Sequence, residues 1–251
     1  MGKTYKVTNK TYFNDRLKKV FFHGVLTYPL YVQVTFDRKT IVFKSYYFEL
    51  FSKPRYAIFM DGKIHGPSIK EIIEKENELI DFVIEMNLPN FSLELFKQEY
   101  NLYSKDLCDE MEEGFIDYLF TFFNDKGMSS LATTIKEGSK FRIVYDVVTD
   151  LKKALIPGFY NELIENSFYY APPYLSLYGF MKETKKWPML CFTVMEWQDT
   201  KIKEKFTGYV NSYFKSKNVV EVIDKLEKFI AFLKNNKGSY KYLSDKLNYF
   251  P

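Results

Sequence analysis

Between residues 28 and 48 the chain reads YPLYVQVTFDRKTIVFKSYYF, two alternating runs joined by Asp37-Arg38-Lys39. Val32, Val34 and Phe36 alternate with Tyr31, Gln33 and Thr35; past the turn, Ile41, Phe43 and Ser45 face opposite Val42, Lys44 and Tyr46. A period of two marks strands with one buried face, so this stretch predicts a β-hairpin. The run RYAIFM, Arg55 to Met60, predicts a third short strand that stops at the turn signal Asp61-Gly62.

After Pro67 the period lengthens. Ser68 as N-cap and Glu71 completing a capping box open a helix through about Met86, with Ile69, Ile72, Ile73, Leu79, Ile80 and Val83 as its apolar stripe. Pro89 breaks the chain, and FSLELFKQEYN predicts a short helix capped by Ser92. Two longer helices follow, from about Asp109 to Asn124 and from about Leu131 to Leu155. Their linker NDKGMSS puts Gly127 past the end of the first and Ser129 or Ser130 at the opening of the second. Beyond Pro157-Gly158, YYAPPYLSLYGF reads as irregular and PMLCFTVMEW as a buried strand. Val219, Ile223, Leu226, Ile230 and Leu233 give the closing helical region one apolar face. Gly238 punctuates before a last short helix ending near Tyr249.

These elements predict an α+β chain: an N-terminal three-stranded antiparallel sheet with a helix over 1–88, a helical domain over 89–156, and a mixed, mainly α region over 157–251. Composition changes the picture at one point. Phe, Tyr and Trp make up 19% of the residues, and 21 of them are Tyr, which suits boundary positions and broad contact surfaces as well as cores. The run GFIDYLFTFF carries Asp117 and is short, so it predicts an amphipathic helix and not a membrane span. The amino-terminal residues lack the apolar run of a secretion signal. Cys108 and Cys191 stand alone, without zinc or redox-motif spacing, and are expected as buried thiols in a reducing setting.

Charge is segregated. Residues 1–60 hold 11 Lys or Arg against 3 acids, residues 61–127 hold 6 against 16, and residues 128–251 hold 19 against 13. A basic head of this kind fits phosphate, or the acidic middle of a neighbouring copy.

Candidate chemistry is sparse. Asp109, Glu110, Glu112 and Glu113 crowd together, but consecutive acids on a helix point in different directions, and they read as a solvated helix start favoured by the macrodipole. His23, beside Phe21 and Phe22, reads as structural. No Gly-rich phosphate loop, nucleophile elbow or HExxH is present. The expectation is a protein that is not an enzyme and takes no metal or cofactor.

The order of hairpin, third strand, connecting helix and small helical domain resembles a known family. YPLYVQVTFDRKTIVF is similar to the first hairpin of the arm-binding domain of Bacteroidetes-type tyrosine recombinases, the integrases of phages and transposons. FSLELFKQEYN resembles their short helix before the core-binding domain, and GFIDYLFTFFNDKGMSSLATTIKEGSKFRIVYDVVTDLKKA resembles that SAM-like domain's first helices. The likeness covers about residues 25–155. The family's reaction needs two Arg, a Lys and usually a His around the scissile phosphate, because charge accumulates on the phosphoryl oxygens. This chain has Arg16, Arg38, Arg55 and Arg142 and no Arg later, and its His residues are His23 and His65. Tyr249, in LSDKLNYF, therefore has no clamp around it.

Two uses of such a scaffold stay open. The resemblance implies double-stranded DNA binding through the sheet, with Gln33, Thr35 and Lys44 toward base edges and Lys18, Lys19, Arg38, Lys39 and Arg55 near phosphate. Scarcity of Arg and the acidic middle weigh against it. The other use is a structural, virion-type component held by protein partners, as a homo-oligomer, in a virion or the bacterial cytoplasm and without a membrane. The aromatic load and the opposed charges favour this second use.

Overall fold

The computed structural model describes residues 6–53, 56–187, 190–213 and 219–235. They fall into two compact units, Met1–Ser104 with Trp187–Leu190, and Lys105–Lys186 with Cys191–Pro251.

In the first unit the hairpin forms where the alternation places it. Strands β1 (Thr8–Phe13), β2 (Val20–Phe22) and β3 (Val25–Thr27) precede β4 (Leu30–Phe36) and β5 (Lys39–Lys44), and β4 pairs antiparallel with β5 across Phe36↔Lys39. Leu30, Val32 and Val34 are buried. Asp37 and Arg38 take φ of 46° and 61°, the left-handed two-residue turn whose twist matches the strands. The three-stranded antiparallel sheet runs in the order β1-β4-β5, so its third strand is β1 and not RYAIFM. Alternation could not reveal β1, because its sequence TNKTYF carries almost no apolar residue on the inner row. It is held by polar contacts instead. Thr11 Oγ1 donates to Asn77 Oδ1 at 2.9 Å, and Asn9 Nδ2 to Asp81 Oδ1 at 3.5 Å.

RYAIFM supplies β6 (Ile58–Met60), whose partner among the described residues is β7 (Lys63–His65), across Asp61-Gly62. Ser45, expected within the strand, caps α1 (Tyr46–Phe51) by accepting from the Phe48 N–H. Helix α2 (Ile69–Asn87) has the Ser68/Glu71 capping box, and α3 (Leu93–Tyr103) has Ser92 as its cap. Helix α3 packs its aromatic face on the sheet: Phe43 lies 4.7 Å from Tyr100 and 6.2 Å from Phe96, centroid to centroid.

The second unit is helical: α4 (Leu107–Asp125), α5 (Ser129–Gly138), α6 (Val144–Ala154), α7 (Pro157–Tyr170), α8 (Tyr174–Thr184), α9 (Thr200–Tyr213) and α10 (Val219–Asn235). Gly127, at φ 74°, ends α4 in a Schellman motif, with Met128 N–H on Phe123 O and Gly127 N–H on Asn124 O. The single helix expected over 131–155 is two. Ser139 closes α5, and α6 starts afresh at Val144, whose N–H is capped by Glu112 from α4 at 3.0 Å.

Two more expectations fail here. YYAPPYLSLYGF contains the end of α7 and most of α8, which opens after Pro173. The described part of PMLCFTVMEW, residues 190–197, is buried at Cys191, Phe192, Val194 and Trp197 but forms no strand. It makes one bridge, Thr193 to Asp106, then folds into a 3-10 turn at Glu196–Gln198 because Thr193 N–H finds Glu196 Oε2 at 2.9 Å. On α10 the buried row is Val222, Leu226, Phe229 and Leu233, with Ile223 and Ile230 beside it. Gly238 and Tyr249 lie outside the described residues.

Candidate interaction surface

The pleat that buries Val32 and Val34 turns Tyr31, Gln33 and Thr35 outward. Register adds Thr8, Lys10 and Tyr12 from β1, and Thr40, Val42 and Lys44 from β5, to the same face. Three of the singled-out residues, Gln33, Thr35 and Lys44, therefore share one surface. Thr35 Oγ1 is bonded to Thr40 Oγ1 at 2.9 Å, and Lys44 pairs with Glu49 at 3.0 Å. That carboxylate raises the Lys44 ammonium above its ordinary pKa and offsets its charge toward an outside anion. Arg38 and Lys39 are exposed at the hairpin end, while Lys18 and Lys19 are exposed ahead of β2, with Lys19 Nζ 5.2 Å from the Tyr28 ring centroid. Arg55 lies outside the described residues.

A second surface is formed by residues other than those singled out for DNA. Strands β2 and β3, and β6 and β7, form two separate two-stranded ribbons, each closed by a two-residue left-handed turn: His23-Gly24 at φ 48° and 79°, and Asp61-Gly62 at 51° and 74°. They touch one another. A Cβ on Gly24 would come 3.0 Å from Ile64 Cδ1, and one on Gly66 would come 2.3 Å from the His23 ring. The His23 ring is fixed between Phe22, at 4.0 Å between centroids, and the Phe51 carbonyl, which accepts from Nε2 at 2.7 Å. Phe22 anchors the first ribbon by stacking on Phe48 at 4.8 Å.

What these ribbons display is apolar. Phe21 is 73% exposed and Phe59 is 76% exposed, each directly across from another exposed apolar residue, Leu26 and Ile64 respectively. Val20, Val25, Ile58 and Met60 are exposed beside them. Scattered single apolar residues on a surface are ordinary; a contiguous set on two touching ribbons marks a contact site. The surrounding chain is basic, with Arg16, Lys18, Lys19 and Lys63 exposed. Asp61-Gly62 was the available signal, a dipeptide that marks a hairpin turn between short apolar runs, whereas His23-Gly24 is no such signature.

Buried carboxylates are the other feature that local patterning missed. Glu76 accepts from Ser45 Oγ and, at 2.5 Å, from the Tyr100 hydroxyl, so it ties the cap of α1 to α2 and α3. Burial pushes its pKa up to about 7. Glu112, expected on a solvated helix start, is buried and accepts from the Tyr174 hydroxyl at 2.9 Å and from Val144 N–H. Asp106 is buried and accepts from Asp109 N–H at 2.6 Å and Phe192 N–H at 2.5 Å. Burial first, and the Asp109 charge second, push its pKa up to about 7. A signal existed for the two glutamates. Glu76 follows Ile72 by four and precedes Leu79 by three, and Glu112 stands likewise between Cys108 and Phe115, so both occupy apolar stripe positions.

Cys108 and Cys191 are both buried, as expected. Among the described residues no helix is long and apolar enough to cross a membrane. Comparison of the chain with protein-family models, with curated proteins and with solved structures finds no match.

Proposed function

We propose that the chain is a non-enzymatic structural protein of a phage or mobile element, a component of a virion or similar assembly that works by holding protein partners and is built on an integrase-like scaffold without its catalytic half. The observation that carries this reading is the pair of touching ribbons with Phe21, Leu26, Phe59 and Ile64 exposed. Apolar surface left in water is costly, and burying it against a partner is the main driving force of association. The segregation of charge between residues 1–60 and 61–127 supports contacts that are specific in register.

A second reading, a DNA-binding accessory protein, has one observation in its favour: Lys10, Gln33, Thr35 and Lys44 stand together on the outward face of the sheet. The two readings separate in one pair of measurements on the full chain, light scattering for mass and a gel shift on duplex DNA across a salt series. Stable oligomers with no DNA retention are expected. Retention that weakens linearly in log salt favours the second reading, the slope counting the phosphates engaged, and Arg38→Glu with Lys39→Glu then abolishes it.

A further inference from the structure

We propose that the two ribbons dock on the outer face of α2 in a second copy of this chain, joining copies head to tail; this rests on the contact-protein reading above. The receiving face is built by helical spacing. Glu74, Glu78, Asp81 and Glu85 are all exposed and follow one another at steps of four, three and four, so they line one side of α2. Lys70, one turn earlier, already spends its charge on Glu74 at 3.6 Å. The acidic row ends at two exposed apolar residues, Met86 and Leu88. The ribbons offer the complement: an apolar centre of Phe21 and Phe59, with Lys18, Lys19 and Lys63 exposed in the same segments.

Both surfaces are exposed in one copy, so they do not cover one another, and each calls for a partner. An anionic bilayer would suit the ribbons but would repel the α2 row, and duplex DNA would suit neither the aromatic residues nor the acids. A second copy satisfies both surfaces in a single contact. Because the two patches differ, the contact is heterologous, and repetition yields a ring if the rotation closes and a filament if it does not.

The test is sedimentation of the full chain at low and high salt, with four variants. The wild type is expected to associate, and to do so at least tenfold more weakly at high salt. F21S/F59S, which alters only exposed side chains, is expected to sediment as a monomer with an unchanged circular dichroism spectrum. E78K/E85K and K18E/K19E are each expected to weaken association at least tenfold, and the chain carrying all four charge reversals to recover it. Oligomers that ignore every variant overturn the docking assignment and leave the contact-protein reading standing. A monomeric wild type that binds vesicles of anionic phospholipid overturns the second copy as occupant. A monomeric wild type retained on duplex DNA with a log-linear salt slope overturns the contact-protein reading itself, and a monomer that binds neither overturns the docking.

Discussion

The two units bury carboxylates to different ends. In the first, Glu76 is met by two hydroxyls, Ser45 Oγ and Tyr100 OH, which themselves accept from the Phe48 and Tyr46 N–H groups, so the charge sits at the centre of a side-chain relay. In the second, Asp106 gives one oxygen to the N–H of Asp109 and the other to the N–H of Phe192, and Glu112 caps Val144. Those acids stand in for local structure, holding the strandless 190s segment and the start of α6, where Ile143 has no side chain able to cap. A hydroxyl can turn from donor to acceptor, whereas a backbone N–H cannot. The hydroxyls on Glu76, which also accepts from the Tyr47 N–H, can therefore follow a change in its chemistry, whereas the two N–H groups on Asp106 cannot; Glu112, met by the Tyr174 hydroxyl and the Val144 N–H, stands between these cases.

The largest expected effect tests the second unit's core. Trp197 is fully buried against Phe206 at 5.5 Å and donates Nε1–H to Glu227 at 2.9 Å. Trp197→Ala is expected to lose about 3–5 kcal/mol in chemical denaturation, with hydrogen exchange over 200–213, the helix that carries Phe206, accelerating most. Equal acceleration over 30–36 would break the distinction drawn between the units.

Acidification comes next. The Glu76 pKa is raised from 4.5 to about 7 and the Asp106 pKa from 3.8 to about 7, so the folded state holds protons that the unfolded chain has released. Each contribution is complete below the unfolded value and is lost as pH climbs through about 7. Unfolding free energy is expected to rise on going from pH 8 to pH 5, by on the order of 2–3 kcal/mol per group. A flat profile over that window would mean the carboxylates are ionised and satisfied as they stand.

Amide substitutions sharpen the same contrast. Asp106→Asn must point an NH2 group at a backbone N–H and is expected to cost about 2 kcal/mol. Glu76→Gln meets hydroxyls able to accept, and at pH 8 is expected to stay within about 1 kcal/mol of the wild type. The smallest effect expected is a gain. Arg38 sits at φ 61°, where a side chain is disfavoured, and Arg38→Gly should raise stability by about 0.5–1 kcal/mol in thermal unfolding.

Local chemistry made much of this legible. Ser68 with Glu71, Ser92 and Gly127 announce helix ends through hydrogen bonds within a few residues, and the period of two in 30–44 places the hairpin. Where the stabilising partner is distant, the reading failed. Strand β1 is held by Asn77, α6 is capped from α4, and the 191–194 segment is bonded to residues 105–107, some 86 positions away in the case of Asp106 and Phe192. Of the ribbons, β6 and its turn Asp61-Gly62 were legible in RYAIFM, but β2, β3 and β7 were not, because three-residue strands are too short for alternation to register. Among the eight residues singled out for DNA, pairing register alone gathered Gln33, Thr35 and Lys44, and no sequence spacing could reveal that Lys44 faces Glu49.

Two ribbons of three-residue strands also have a kinetic consequence. Among the described residues neither has a third strand, so the outer edges of β3 and β7 leave main-chain groups beside greasy side chains. Until something covers them, any extended segment emerging nearby can add itself there. Newly made chains are thus most at risk of clumping in the interval before a second copy captures them, and soluble yield should improve when Phe21 and Phe59 are both replaced by Ser.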